Sequence, residues 1–355
     1  MTVQDAPARK FKLRVFQAVL IVALVAILLF GLGLVAEILL VVFAGILVAV
    51  FLRGLSTALS KVTPLSDGWA LAVVAMGLAG AVGLVGWLLA PEVSKQVEEL
   101  SKSLPESLRS LRDQLSSTSW GAALVERVSE ADQYFSERSA LSQARSFLST
   151  TTGALAGFFV ILVLGLYMAS EPDYYRHGVV RLVPVVHRKR ADKLLIRLGD
   201  TLHWWLIGQF MSMTLIGILT WIGLLLFGVP LALTLALLAA VLTFIPNVGP
   251  IIAVIPAALL AMMDSPMRGF YVLLMYLGIQ TVESYLVTPL IQRRTVRLAP
   301  ALILVSQMVA GTLLGLFGVA LATPMVAVLM VVVQKLYVEE TLEKGAGEEA
   351  GKDPV

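Results

Sequence analysis

Charge-free runs dominate the chain. Stretches without Asp, Glu, Lys or Arg extend over Val15–Ala36, Ile38–Leu52, Gly68–Pro91, Ser146–Ser170, Thr201–Met263 and Leu298–Gln334. Gly269–Ile291 joins them once its single acid, Glu283, is admitted. A helix rises 1.5 Å per residue, so crossing about 30 Å of hydrocarbon takes about 20 mostly apolar residues. Thr201–Met263 is long enough for about three passes and Leu298–Gln334 for about two short ones. The pattern predicts an all-α, polytopic helical membrane protein with about eight hydrophobic helical segments.

Charged residues between the runs set the orientation, because lysine and arginine in short loops mark the cytoplasmic side. Basic clusters occur at Arg9–Arg14, Arg53–Lys61, Arg176–Arg197 and Gln292–Arg297. The first looks like the front of a signal peptide, but the apolar run behind it outlasts a signal peptide's core and points to an uncleaved anchor. With the N-terminus inside, Glu92–Arg145 lies outside and Arg176–Arg197 returns inside. The next helix then exits near Gly228-Val229-Pro230. For Arg293–Arg297 to be inside after one further span, Leu231–Met263 must begin and end outside, as a hairpin turning at Pro246-Asn247-Val248-Gly249-Pro250. By the same parity Leu298–Gln334 is a hairpin turning near Gly315–Gly318, and the charged tail is cytoplasmic. The expected hairpins are re-entrant; two full, short spans apiece would satisfy the same parity.

One segment breaks the apolar pattern. Glu92–Arg145 carries seven basic and nine acidic residues. Val93, Val97, Leu100, Leu104, Leu108, Leu111 and Leu115 recur at alternating four- and three-residue steps, the heptad pattern of a helical seam. Pro105 reads as a kink or restart. The seam serves either oligomerisation or gating, or packs on its own neighbour through Val128, Tyr134, Phe135 and Leu141. The expected organisation is therefore 1–91 as N-terminal transmembrane helices, 92–145 as an amphipathic helical extramembrane insert, 146–337 as a transmembrane transport core, and 338–355 as a charged tail.

Composition agrees and narrows the chemistry. Of 355 residues, 58% are hydrophobic and 14% charged, with a mean hydropathy of +0.87. A soluble domain carries about 25% charged residues. The chain has no cysteine and three histidines, so thiolate and histidine-rich metal sites are excluded. It lacks GxxxxGK[ST], HExxH, GxSxG and a pair of intramembrane aspartates. ATP-driven transport by this chain alone, nucleic-acid binding and intramembrane proteolysis all lack machinery. The reading is of a non-enzyme with no cofactor.

Three places carry candidate chemistry. Pro246 and Pro250 remove amide donors and Gly249 loosens the backbone, so the helix breaks and frees carbonyls that lipid cannot satisfy. Asn247 adds donors and an acceptor there, and broken helices are where secondary transporters commonly bind their cargo. A kink satisfied by neighbouring helices is the structural alternative. Second, Glu283 lies deep in its span, with Gln280 one turn before it, Tyr276 further along the same face and Thr288 toward the cytoplasmic end. Inserting an ionisable group there costs about 2.5 kcal/mol or more, so it should face protein or water; it serves the pathway, or bridges two helices. Third, Gln307, Thr312 and Thr323 sit among Gly311, Gly315 and Gly318, where the polar groups could face Asn247 and the glycines suit close packing. Thr243–Gly249 and Thr312–Gly318 echo one another slightly, as an inverted repeat would. Gly77, Gly80, Gly83 and Gly86 form a small-residue face on the third span, suited to contact between subunits.

Phe244-Ile245-Pro246-Asn247-Val248-Gly249-Pro250-Ile251-Ile252-Ala253-Val254-Ile255-Pro256 resembles the autoinducer-2 exporter family, the PerM-type permeases. Val282-Glu283-Ser284-Tyr285-Leu286-Val287-Thr288-Pro289-Leu290-Ile291 and the Gly311–Pro324 region are similar to it as well. Where such proteins usually read Val-Glu-Asn, this chain has Ser284 in the third place. The resemblance implies a bacterial inner-membrane transporter, homo-oligomeric and pentameric, with an elevator-like movement of its hairpin-bearing part. Members have been linked to export of autoinducer-2, others to exchange of sodium or lithium for protons.

The leading expectation is a secondary transporter of a small polar solute, with Pro246, Asn247, Gly249, Pro250, Gln280, Glu283, Thr288, Gln307 and Thr312 along the pathway. A sodium (lithium)/proton antiporter is the nearest rival. A membrane scaffold or sensor working through the insert is the alternative from another class. The expected partners are the lipid bilayer, the small polar solute or a monovalent cation or proton, and further copies of the chain; nucleic acid is not one.

Overall fold

The computed structural model describes residues 35–116, 151–292 and 298–336. The N-terminal basic cluster, most of the first apolar run, the expected partner face at Val128–Leu141, Arg293–Arg297 and the charged tail lie outside the described residues. Every described element is helical: α1 (Val35–Val62), α2 (Asp67–Ser116), α3 (Thr151–Ser170), α4 (Pro172–Arg181), α5 (Arg188–Leu226), α6 (Ala232–Leu242), α7 (Val248–Asp264), α8 (Pro266–Gln292) and α9 (Pro300–Val333), with one 3-10 turn at Val185–His187. Length and apolarity suit α1, α5 and the first part of α2 to crossing a membrane, and α6 and α7 are shorter apolar helices. This is an all-α polytopic membrane protein.

Helix α1 extends the short Ile38–Leu52 run at both ends, through Glu37 and Arg53. Arg53 and Asp67 then close the α1–α2 turn with an ion pair of 2.6 Å. Helix α2 departs from expectation. It continues through Pro91 and Pro105 to Ser116, 50 residues in all, or about 75 Å. No restart occurs at Pro105, and the expected boundary at 91/92 falls inside a helix. The seam can be followed only at its start, where Val93 is half-buried and Val97 is exposed.

After α3 the chain turns by 86° into α4. Pro172 starts α4 with its φ already helical and no amide to satisfy. Arg176 of α4 pairs with Asp192 at the foot of α5 at 3.1 Å. Helix α5 is the spine of the molecule. One of its faces packs with α6, α7 and α8 through Ile216, Leu224, Leu235, Ala253, Ala257 and Val272. Nearer its foot it packs with α1, α3 and α9 through Leu202, Trp205, Leu206, Leu40, Ile161 and Leu321. Lipid tails are as apolar as these side chains, so close packing rather than escape from water holds the helices together.

Both expected reversals are present. Helices α6 and α7 are 11 and 17 residues long and are joined by a turn over Thr243–Asn247. Within α9, Gly315 adopts φ 63° and ψ −154°, a region essentially reserved for glycine. Beyond it the chain doubles back: a Cβ placed on Gly318 would lie 2.3 Å from the Ala310 carbonyl oxygen. Eight residues along an unbroken helix would separate those positions by about 12 Å. Helix α9 is therefore two arms packed against each other, not one long span.

Candidate functional site

The site begins with what two prolines do to the α6–α7 turn. Helix α6 ends with Thr243 N–H donating to Ala239 O and Ile245 N–H donating to Leu242 O. Pro246 has no amide to continue the ladder, and the chain reverses instead. Val248 N–H donates to Pro246 O at 2.8 Å across Asn247, which sits at φ 64° and ψ −47°. That is a three-residue γ-turn of the rare, positive-φ kind, and holding a non-glycine residue in such a region costs about 1–3 kcal/mol. Gly249 then passes so close to α6 that a Cβ would fall 1.8 Å from Leu242 O.

Two glutamines from other helices complete the turn. Gln209 Nε2 of α5 donates to Thr243 O at 2.5 Å, and Gln307 Nε2 of α9 donates to Pro246 O at 3.0 Å. Both carbonyls belong to the break, and lipid would have left them bare. Neighbouring helices thus satisfy the freed backbone, as the structural alternative anticipated, yet the turn also borders a cavity.

That cavity has a volume of about 300 Å³. The turn contributes Thr243, Pro246, Asn247 and Pro250, and α5 contributes Trp205, Gln209, Ser212 and Ile216. Gln280, Glu283 and Ser284 of α8 form a third wall, and Thr323 and Ala327 of α9 a fourth. The half-buried Glu283 is held from two sides: Ser212 Oγ donates to Oε1 at 2.8 Å, and Gln280 Nε2 to Oε2 at 3.2 Å. Thr323 is buried, and its hydroxyl has no hydrogen-bond partner among the described residues. The lining therefore offers amides, hydroxyls and one carboxylate around an apolar frame, which can strip water from a small polar molecule and return its hydrogen bonds. Among the described residues no cluster of His, Asp or Glu could hold a metal ion.

Of the expected residues, Pro246, Asn247, Pro250, Gln280 and Glu283 meet at the cavity. Gln307 supports it from behind through Pro246, and Gly249 is buried beneath the turn. Thr312 is not brought there: it is exposed, and its hydroxyl returns to Val309 O of its own helix at 2.9 Å. The Thr288 side chain lies outside the description. Tyr276 faces the α5–α8 core rather than the cavity. Ser284, the departure from the family's usual Asn, does line the cavity. The sequence reading missed Trp205, Gln209 and Ser212. A signal existed, since polar residues within an apolar run face the protein interior, and Gln209 and Ser212 stand one turn apart.

With this geometry in hand, comparison with known proteins is specific. The description AI-2E family transporter matches residues 18–337. The transport protein TqsA of Escherichia coli K12, named for AI-2 transport, is 25% identical over 262 residues, covering 70% of this chain and 73% of TqsA. Two Bacillus subtilis proteins with transport-protein names are similar to the same degree. YueF is 26% identical, covering 70% of this chain and 71% of its own, and YrrI is 28% identical, covering 70% and 73%. A match over most of the length, on a bundle of apolar helices with two internal reversals, makes this multi-pass membrane protein a transporter that belongs to the AI-2E family.

Proposed function

We propose that the chain is a secondary transporter that moves a small polar solute across the bacterial inner membrane through the cavity at the α6–α7 turn. The observation that carries this reading is the meeting, in one cavity, of a strained Asn247, a doubly hydrogen-bonded Glu283 and the polar face of α5. Strain of this kind persists only where the surroundings over-determine it, and it clusters at functional sites. Both hairpins are re-entrant in this reading, and movement of α6–α7 exposes the cavity to each side in turn. The transport core spans 146–337 with α1 packed on it, and both termini are cytoplasmic. The protein works as a homo-oligomer, the pentamer that the family resemblance implies.

Flux from proteoliposomes, run against a panel containing AI-2, other small polyhydroxylated solutes, sodium and lithium, tests the reading. The combined substitution Asn247→Ala and Glu283→Ala should remove flux of the accepted solute while the protein still purifies as the native assembly. Unchanged flux in that variant would remove the proposed site. Flux of sodium or lithium alone, lost in Glu283→Gln, would replace the solute reading with cation exchange.

A further inference from the structure

Among the described residues, helix α2 is held at two places and bare between them. Its foot is anchored where Ala70 and Leu71 are buried and Asp67 pairs with Arg53. From Met76 to Leu88 every residue is exposed. A Cβ built on Gly77, Gly80, Gly83 or Gly86 would meet nothing within 4 Å. Farther along, α2 packs against α6 and α7. There Gln96 Oε1 accepts the backbone N–H of Thr234 at 3.1 Å, while Gln96 Nε2 donates to Glu92 Oε1 at 2.9 Å.

Thr234 lies in the first turn of α6, whose amides have no partner within the helix. The residue that should cap it, Leu231, sits at φ 59° and has no side chain able to accept a hydrogen bond. Another helix therefore supplies the cap of the cavity-bearing hairpin. Glu92 fixes the orientation of the Gln96 amide, so its oxygen rather than its nitrogen faces the Thr234 amide.

We propose that Gln96 ties α2 to the α6–α7 hairpin, so that the outer half of α2 travels with the hairpin. The bare middle of α2 makes this mechanically cheap, because among the described residues no packing there resists a swing about its foot. Gln96 is then a positioning residue, and the outer half of α2 is a handle on the transport machinery. This rests on the reading of α6–α7 as the moving part.

The chain has no cysteine, so Gln96→Cys with Thr234→Cys introduces the only thiols. In proteoliposomes of the full-length protein, a short bis-methanethiosulfonate reagent should link the pair, and the linked protein should keep the flux of the unlinked variant. A link that stops flux would mean the two parts separate during transport and α2 is a fixed post, which overturns the proposal; failure to link overturns it too. Hydrogen exchange supplies a readout without substrate. Gln96→Leu should speed exchange of the amides over Ala232–Leu235 about fivefold, and Gln96→Glu, which keeps an acceptor, should restore protection. Unchanged exchange in Gln96→Leu would overturn the tie. Absence of flux from the unsubstituted protein would fall on the transport reading, while linking and exchange still decide the tie.

Discussion

The two hairpins reverse the chain by opposite means. Within α9 the turn is a single glycine in a conformation no other residue tolerates, flanked by the exposed apolar side chains Leu313, Leu316 and Phe317. Between α6 and α7 the turn uses a proline, an asparagine held at positive φ, and two glutamines borrowed from α5 and α9. The first solution is local and suits a turn that only has to reverse. The second draws on two other helices and leaves polar groups facing a cavity, though a glycine at Asn247 would have avoided the strain. On the proposed reading, the α9 turn serves architecture and the α6–α7 turn serves transport.

The largest effect should come from Gly249→Ala. Its Cβ would land on a backbone oxygen rather than on a side chain that can yield, and overpacking of this kind costs about 1–3 kcal/mol or more. Loss of the monodisperse peak in fluorescence-detected size exclusion checks it. Gly315→Ala should follow at about 2 kcal/mol, the cost of a forbidden conformation, lowering thermal stability in detergent. If the α9 turn is only architectural, the surviving folded fraction should keep its flux per molecule. Gln209→Leu and Gln307→Leu should each cost about 1–2 kcal/mol by leaving a carbonyl of the same turn unsatisfied. Their double variant should depart from additivity, because the two bonds clamp one short turn. The smallest and sharpest change is Asn247→Gly, which relieves strain and should raise stability by about 0.5–1 kcal/mol while lowering flux. If stability and flux rose together, Asn247 would be a structural residue and the contrast between the turns would collapse.

Much of this was legible in the residues. Prolines and glycines inside apolar runs announced both reversals, because lipid forces such breaks to have a reason. Glu283 stood out as the lone acid of its span for the same cause. The opposite wall of the cavity did not, since Gln209 and Ser212 lie in an unbroken 63-residue run whose length, not its polar spacing, drew the reading. Helix α2 misled through Pro105 and through the onset of charge at Glu92. Neither a single lost donor nor a change from apolar to charged side chains ends a helix whose remaining backbone bonds are intact, so α2 runs through both. Thr312 misled through chemistry without register: a hydroxyl that bonds back to its own helix is content in lipid. The contact between Gln96 and Thr234 joins positions 138 residues apart, and no local pattern encodes a partner that distant.

The right-angled corner between α3 and α4 has a mechanical consequence. A corner left open on one side can fold shut or spring wide, but a corner with a strut across it cannot. The limb formed by α4 is that strut, since Arg176 pins it to Asp192 at the base of α5, and it ties α3 to the spine as a gusset ties two beams.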